Sequence, residues 1–192
     1  MRPALVIVDM LVDNLKTGKH AGIEREGMAI VPAIRRAAGA FRRQGLPVVY
    51  ANDSFLPGDF LFEGRMTPHS LRGTRGAEVI PELAPEPGDH VLPKRRFSGF
   101  FKTDLDQTLR TLGADTVAVA GITTPFCVLA TALDAVANDF RAVILEDACA
   151  AHKPRVHRQC LDMYRKGPLW PLLRVEGVDD LLAALAAGQG GG

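Results

Sequence analysis

The chain has 192 residues, 47% of them hydrophobic, and its 23 Lys and Arg nearly cancel its 22 Asp and Glu to leave a net charge of +1. That length and apolar content fit a single globular domain, expected over residues 1–187, with GQGGG at 188–192 read as a disordered tail. So even a balance of charge offers no field to draw nucleic acid or an anionic membrane, and no stretch approaches the ~18 consecutive apolar residues of a membrane span.

The three cysteines, Cys127, Cys149 and Cys160, are odd in number and lack CxxC spacing, which argues against a disulfide framework or a zinc cluster and for a reducing, cytoplasmic setting. The first apolar run, ALVIVDML, is broken by Asp9 and has neither a basic leader nor a cleavage site, so it reads as a strand rather than a signal peptide.

Short β-branched runs of the kind buried on both faces of a parallel sheet recur at residues 4–8, 47–51, 90–93, 115–120, 141–145 and 171–175. Between the first two, Val31, Ile34, Ala38 and Phe41 repeat at helical spacing and Gly45 supplies a stop. Further helices are expected near 103–112, 124–138, 154–165 and 178–187. This alternation predicts a three-layer α/β/α domain around a doubly wound, mainly parallel six-stranded sheet of Rossmann-like type. Residues 10–25 and 54–88 fit no element well, and loops of such length in a compact domain often carry function.

Ligands of open α/β sheets bind outside the carboxyl ends of the strands. Asp9 ends the first expected strand, Asp53 the second and Lys94 the third; Cys127 follows the fourth and Asp147 ends the fifth, so all five belong to one rim. In GITTPFC, Thr124 reads as a helix cap, Pro125 as the first helical residue, and Cys127 falls in the first turn. Positive charge at the helix start and a nearby Lys ammonium are expected to lower the thiol from its free value of about 8.5, and the free N–H groups of that turn can hold an oxyanion. The plainer readings are a cysteine packed under the sheet and, for Lys94, a basic turn shared with Arg95 and Arg96. His152 offers a Cys-His pairing as an alternative, and His20 is expected to be exposed. Phe55, Phe97, Phe100, Phe101 and Phe126 are expected to divide between core and pocket lining.

The order of strand-Asp, strand-Lys and then G-x-x-T-x-x-C-V is carried by LVIVDM, GTRGAEVIPEL, KRRFSGFFKTDLD, GITTPFCVLATALDA and VILEDACAA. This pattern, over about residues 3–150, resembles the isochorismatase-like cysteine hydrolases, which include nicotinamidases and N-carbamoylsarcosine amidases. The resemblance implies that Cys127 attacks a carbonyl carbon, Asp9 carries its proton to the leaving amine and Lys94 steadies the charges. It also implies a cis peptide between Ile122 and Thr123, with the Thr123 and Cys127 N–H groups as the oxyanion hole, and a homo-oligomeric assembly. Because the branch acting on the vinyl ether of isochorismate is expected to lack the cysteine, Cys127 favours C–N hydrolysis of a small amide or carbamoyl substrate. The alternatives are a redox-sensing or non-catalytic relative, and hydrolysis of another small substrate.

Departures from the family pattern bear on the pocket. DMLVDN stands where relatives often have D-x-Q-x-D-F, so Leu11 and Asn14 replace a glutamine and a phenylalanine. Nicotinamidases pair an Asp-x-His with a later His around a metal; here Asp53 is followed by Ser54 and Phe55, and His69 is left as the later ligand. The expectation is therefore no metal cofactor, with at most a weakly held divalent ion at Asp53 and His69. Asp53, Phe55, His69 and Phe126 are expected to line the pocket, and Arg95 or Arg96 is a candidate to hold a substrate carboxylate.

Overall fold

The structure, a computed structural model, describes residues 1–18 and 21–189; His20 and residues 190–192 of the expected tail lie outside the described residues. Six strands form one fully parallel sheet in the order β3-β2-β1-β4-β5-β6. They are β1 (Pro3–Val8), β2 (Val48–Asp53), β3 (His90–Lys94), β4 (Thr116–Ile122), β5 (Arg141–Ala150) and β6 (Leu173–Glu176). The doubly wound topology and its strand-helix alternation match the expectation from sequence.

The strands read as unbroken apolar runs because both sheet faces are covered. Leu5, Ile7, Val48 and Tyr50 enter one core, beneath α2 (Ala21–Ala29), α3 (Val31–Arg43) and α7 (Val178–Gln189). Ala4, Val6, Val8, Val49 and Ala51 enter the other, beneath α4 (Leu105–Thr111), α5 (Leu129–Ala137) and α6 (Pro154–Asp162). A short α1 (Val12–Leu15) follows the first strand. Burial on this scale, at about 25 cal/mol per Å² of apolar surface, is the main stabilising term.

The expected helix between β1 and β2 is two helices: α2 ends at Ala29 and α3 restarts at Val31 with Pro32 in its first turn, where a missing N–H costs nothing. Val31, Ile34, Ala38 and Phe41 are all buried, and Gly45, at φ 64°, ends the run as expected. At the C-terminus α7 continues through Gln189, so the first two residues of the expected tail are helical.

Two further differences bear on the rim. The segment 54–88 is an ordered loop carrying three short 3-10 turns, and its Leu71 bridges back to Phe55. On β5 the pairing jumps from Ile144 opposite Val119 to Cys149 opposite Gly121, a bulge that turns Glu146 and Asp147 out of the sheet. Asp147 consequently accepts from the Val178 N–H at 2.8 Å and pairs with Arg36; it caps α7 and does not belong to the catalytic rim.

Gly121 lies where β4 runs closest to β1: at φ 114°, a Cβ placed there would collide with the Val8 carbonyl. We expect Gly121→Ala to cost on the order of 3 kcal/mol through overpacking and an unfavourable φ. Urea denaturation of purified wild type and variant checks this, and an unchanged midpoint would refute it.

Candidate active site

Parallel pairing brings the charged residues together. Asp53 and Lys94 are register partners at the ends of β2 and β3, so their side chains leave the sheet side by side on one face. Asp9 follows β1 at φ 54°, a left-handed conformation that an Asp adopts more readily than most residues. Its carbonyl is held by the Leu11 N–H at 2.8 Å and the Asn14 side chain at 3.0 Å, so the Asn that replaces the family's phenylalanine helps fix this turn. Leu11 is fully buried and pairs with Val79 instead of facing the pocket.

Lys94 is 1% exposed and is shared by two carboxylates, with Nζ 2.8 Å from Asp9 Oδ2 and 2.5 Å from Asp53 Oδ1. Asp9 Oδ1 in turn accepts from the Asp53 N–H at 2.7 Å. Burial alone would lower the Lys94 pKa, but the charges of Asp9, Cys127 and Asp53 reverse this and hold it above the ordinary lysine value. Asp53 is pushed from 3.8 up to about 6, first by burial and then by the Asp9 carboxylate, against the pull of Lys94.

Cys127 enters from the opposite side of β1. After β4 the chain makes the cis Ile122–Thr123 peptide and a five-residue π-helical turn, Thr124–Val128, that leads into α5. The Phe126 and Val128 N–H groups on either side of Cys127 both donate to the Thr123 carbonyl, at 3.0 and 3.3 Å. The Cys127 carbonyl accepts from Thr131 Oγ1 at 2.7 Å, and that hydroxyl accepts from the Gly99 N–H at 2.9 Å, tying the turn to the loop beyond Lys94. Thr124 does not cap the helix. Its hydroxyl pairs with His157 Nδ1 on α6 at 2.8 Å, a contact across 33 residues that no local motif announces. Burial lowers the His157 pKa, which suits a neutral ring in this role.

The thiol differs from expectation in its protonation. Burial pushes Cys127 up, the neighbouring Asp9 carboxylate pushes it further, and the opposing charge of Lys94 does not overcome them, with Asp53 adding to the upward push. At rest Cys127 is therefore a thiol facing an acceptor. Candidate ligand atoms of Asp9, Asp53 and Cys127 all lie within 4.8 Å of one another, the only such group among the described residues, and His69 is not in it. With the Lys94 ammonium already between both carboxylates, these residues do not fit a zinc ion that must also hold a water.

The cluster opens into a cavity of about 270 Å³ lined by Asp9, Asp53, Cys127 and Thr123. Phe55, His69 and Phe126 line it, and Ile23, Met66, Phe97 and Ile122 add to the apolar wall. His69 Nδ1 faces the Thr67 carbonyl at 2.8 Å, and its ring stands edge-on to Phe55. His152 also lines the cavity, but its ring makes no hydrogen bond to Cys127. Arg95 and Arg96 are placed otherwise than expected: both bind the buried Asp59 carboxylate, at 2.7 and 3.0 Å. Burial works to raise Asp59, but the hydrogen bonds and charges of this pair hold it below the ordinary value. Among the other aromatics, Phe100 packs on Phe140 in the core and Phe101 is exposed.

Known proteins resemble the chain over most of its length. The family model described as Isochorismatase domain matches residues 3–174. A protein of Arabidopsis thaliana named "probable inactive nicotinamidase" is 33% identical over 88% of this chain and 92% of its own length. The ureidoacrylate amidohydrolase of Pantoea ananatis is 31% identical over 76% of this chain and 68% of its own. The crystal structure of N-carbamoylsarcosine amidase from Thermoplasma acidophilum superposes with a TM-score of 0.80 at 38% identity, covering 93% of this chain and 98% of that one. The chain belongs to the isochorismatase family, and its class is that of the amidohydrolases named beside it. Among the described residues no helix is long and apolar enough to cross a membrane.

Two measurements check the electrostatics. Between pH 4 and about 6 the native state keeps a proton on Asp53 that the unfolded chain has lost, so this group withdraws stability as pH rises through that window. Relative to wild type, Asp53→Asn is expected to gain several degrees of Tm between pH 4 and pH 7; a difference that is flat with pH would refute the raised value. For the thiols, site-mapped alkylation by iodoacetamide is expected to find Cys127 labelled before the fully shielded Cys149, with a midpoint above the free-thiol value of about 8.5 that falls in Asp9→Asn.

Proposed function

We propose that the protein is a cysteine amidohydrolase that cleaves a C–N bond of a small amide or carbamoyl compound through an acyl-enzyme. The observation that carries this reading is the placement of Cys127 Sγ within 4.8 Å of the Asp9 carboxylate, which Lys94 binds at 2.8 Å, all of them buried and the first two lining a cavity large enough for a small molecule. Asp9 takes the thiol proton as Sγ bonds to the carbonyl carbon, and the N–H groups of Thr123 and Cys127 receive the oxyanion. The C–N bond then breaks as Asp9 passes that proton to the departing amine. Water attacks the thioester while giving a proton to Asp9, the acid leaves, and the proton returns to sulfur. Lys94 keeps its charge throughout, holding Asp9 in place and balancing its ionised form.

The raised thiol supports this reading over redox sensing, which calls for a low-pKa, accessible thiolate. It suits an enzyme whose nucleophile forms only when a base acts on it. No metal is needed for these steps, and metal-free activity is part of the proposal.

Mixing the protein with a panel of small amides, acid-quenching, and mapping intact mass is expected to place an acyl adduct on Cys127, with ammonia or amine released. Cys127→Ser, Asp9→Asn and Lys94→Ala should each lose about 10²–10⁴-fold in kcat, whereas His152→Ala stays within about threefold. Activity should survive chelation. An unaltered Cys127 across the panel, or a His152 variant as impaired as the Asp9 variant, would overturn the assignment.

A further inference from the structure

The cavity's walls carry a statement about which amides it admits. Its apolar lining comprises Ile23, Phe55, Met66, Ile122, Phe97 and Phe126. Among the described residues lining it there is no Arg or Lys; two carboxylates, Asp9 and Asp53, line it, together with the imidazoles of His69 and His152 and the amide of Asn14. Lys94 lies behind them, wholly buried and engaged by both. The two arginines that follow Lys94 in sequence are bound to Asp59, whose side chain is itself fully shielded. A substrate bearing its own carboxylate would thus meet like charge and no guanidinium partner.

At the mouth, Phe97 and Phe126 lie with ring centroids 5.9 Å apart, tilted by 38°, and remain 37% and 56% exposed. Phe126 immediately precedes Cys127, and Phe97 follows Lys94 by three residues, so both are fixed by the segments that deliver the reacting groups. An acyl group held on Cys127 and leaning outward would cover these two rings and remove their apolar surface from water. For scale, an apolar cavity of about 150 Å³ accepts benzene. At about 270 Å³ this one has room for a six-membered ring with its carboxamide and a small substituent.

Resting on the amide-hydrolase reading above, we propose that the preferred substrate is an uncharged amide with a compact apolar acyl group, and that Phe97 and Phe126 set this preference. The test is ammonia release at pH 7.5 from matched carboxamides: a neutral aryl or branched-alkyl amide against the same skeleton carrying a carboxylate. The neutral member is expected to show kcat/KM at least tenfold higher. Phe97→Ala and Phe126→Ala should raise KM for it by about tenfold, with a larger effect on KM than on kcat, and Phe126→Arg should shift preference toward the carboxylate-bearing partner. Variant integrity is read from Tm and from Cys127 alkylation. Equal or faster turnover of the anionic amide, with an adduct on Cys127, overturns this specificity while leaving the hydrolase reading intact; absence of any adduct overturns the hydrolase reading itself. If the Phe variants change the oligomeric state on size exclusion and leave KM unmoved, the aromatic pair belongs to self-association and the specificity role falls.

Discussion

The site depends on one buried cation held between two carboxylates. A lysine ammonium without water is costly to keep, and so is each of two carboxylates a few ångströms apart; here each makes the others tolerable. Because Lys94 is matched by Asp53 as well as Asp9, the cluster carries one formal negative charge before the thiol is counted. Burial first, and then the Asp9 carboxylate, keep the proton on the Cys127 sulfur, and a thiolate there would deepen that imbalance as a fourth ionised group. The same cluster holds Asp9 within 4.8 Å of the sulfur whose proton it is proposed to receive. Protonation of the resting site and the direction of the first proposed proton transfer therefore have a common electrostatic origin.

The backbone meets this requirement through the sheet. Asp53 and Lys94 are direct register partners, Asp9 follows the adjoining strand, and Cys127 hangs from the turn beyond β4 on the other side. Four neighbouring strands thus position the groups, and hydrogen bonds from Asn14, Thr131 and His157 fix the short irregular pieces after the strands end. Rigid elements hold the reacting atoms, while loops form the walls around them.

The strands, their parallel order and the residues at their ends were legible in the sequence because each depends on local pattern: an apolar run buried on two faces, then a charged residue. What was not legible depended on relations between distant segments. The bulge in β5 leaves no trace in VILEDACAA, so the sequence puts Asp147 on a rim from which the structure turns it away. The helix start and one lysine point to a lowered thiol, whereas burial and then the Asp9 carboxylate outweigh them, and the depth of that burial is set by packing that no local pattern announces. Arg95 and Arg96 looked available because Asp59 lies in a loop without periodicity, and His157 looked unremarkable because its partner is 33 residues away.

The clasp on Asp59 separates two things that many enzymes mix. This one shielded carboxylate, gripped by both arginines just past Lys94, pins the wall-forming loop to the framework. Between that anchor and Ser70, the intervening residues supply Met66 and His69 to the cavity. The loop's share of the cavity wall is therefore separable from the bond-breaking equipment, whereas Phe97 and Phe126 are tied to the segments that carry it. A lineage that kept the anchor could rewrite the loop's share repeatedly while inheriting the same chemistry.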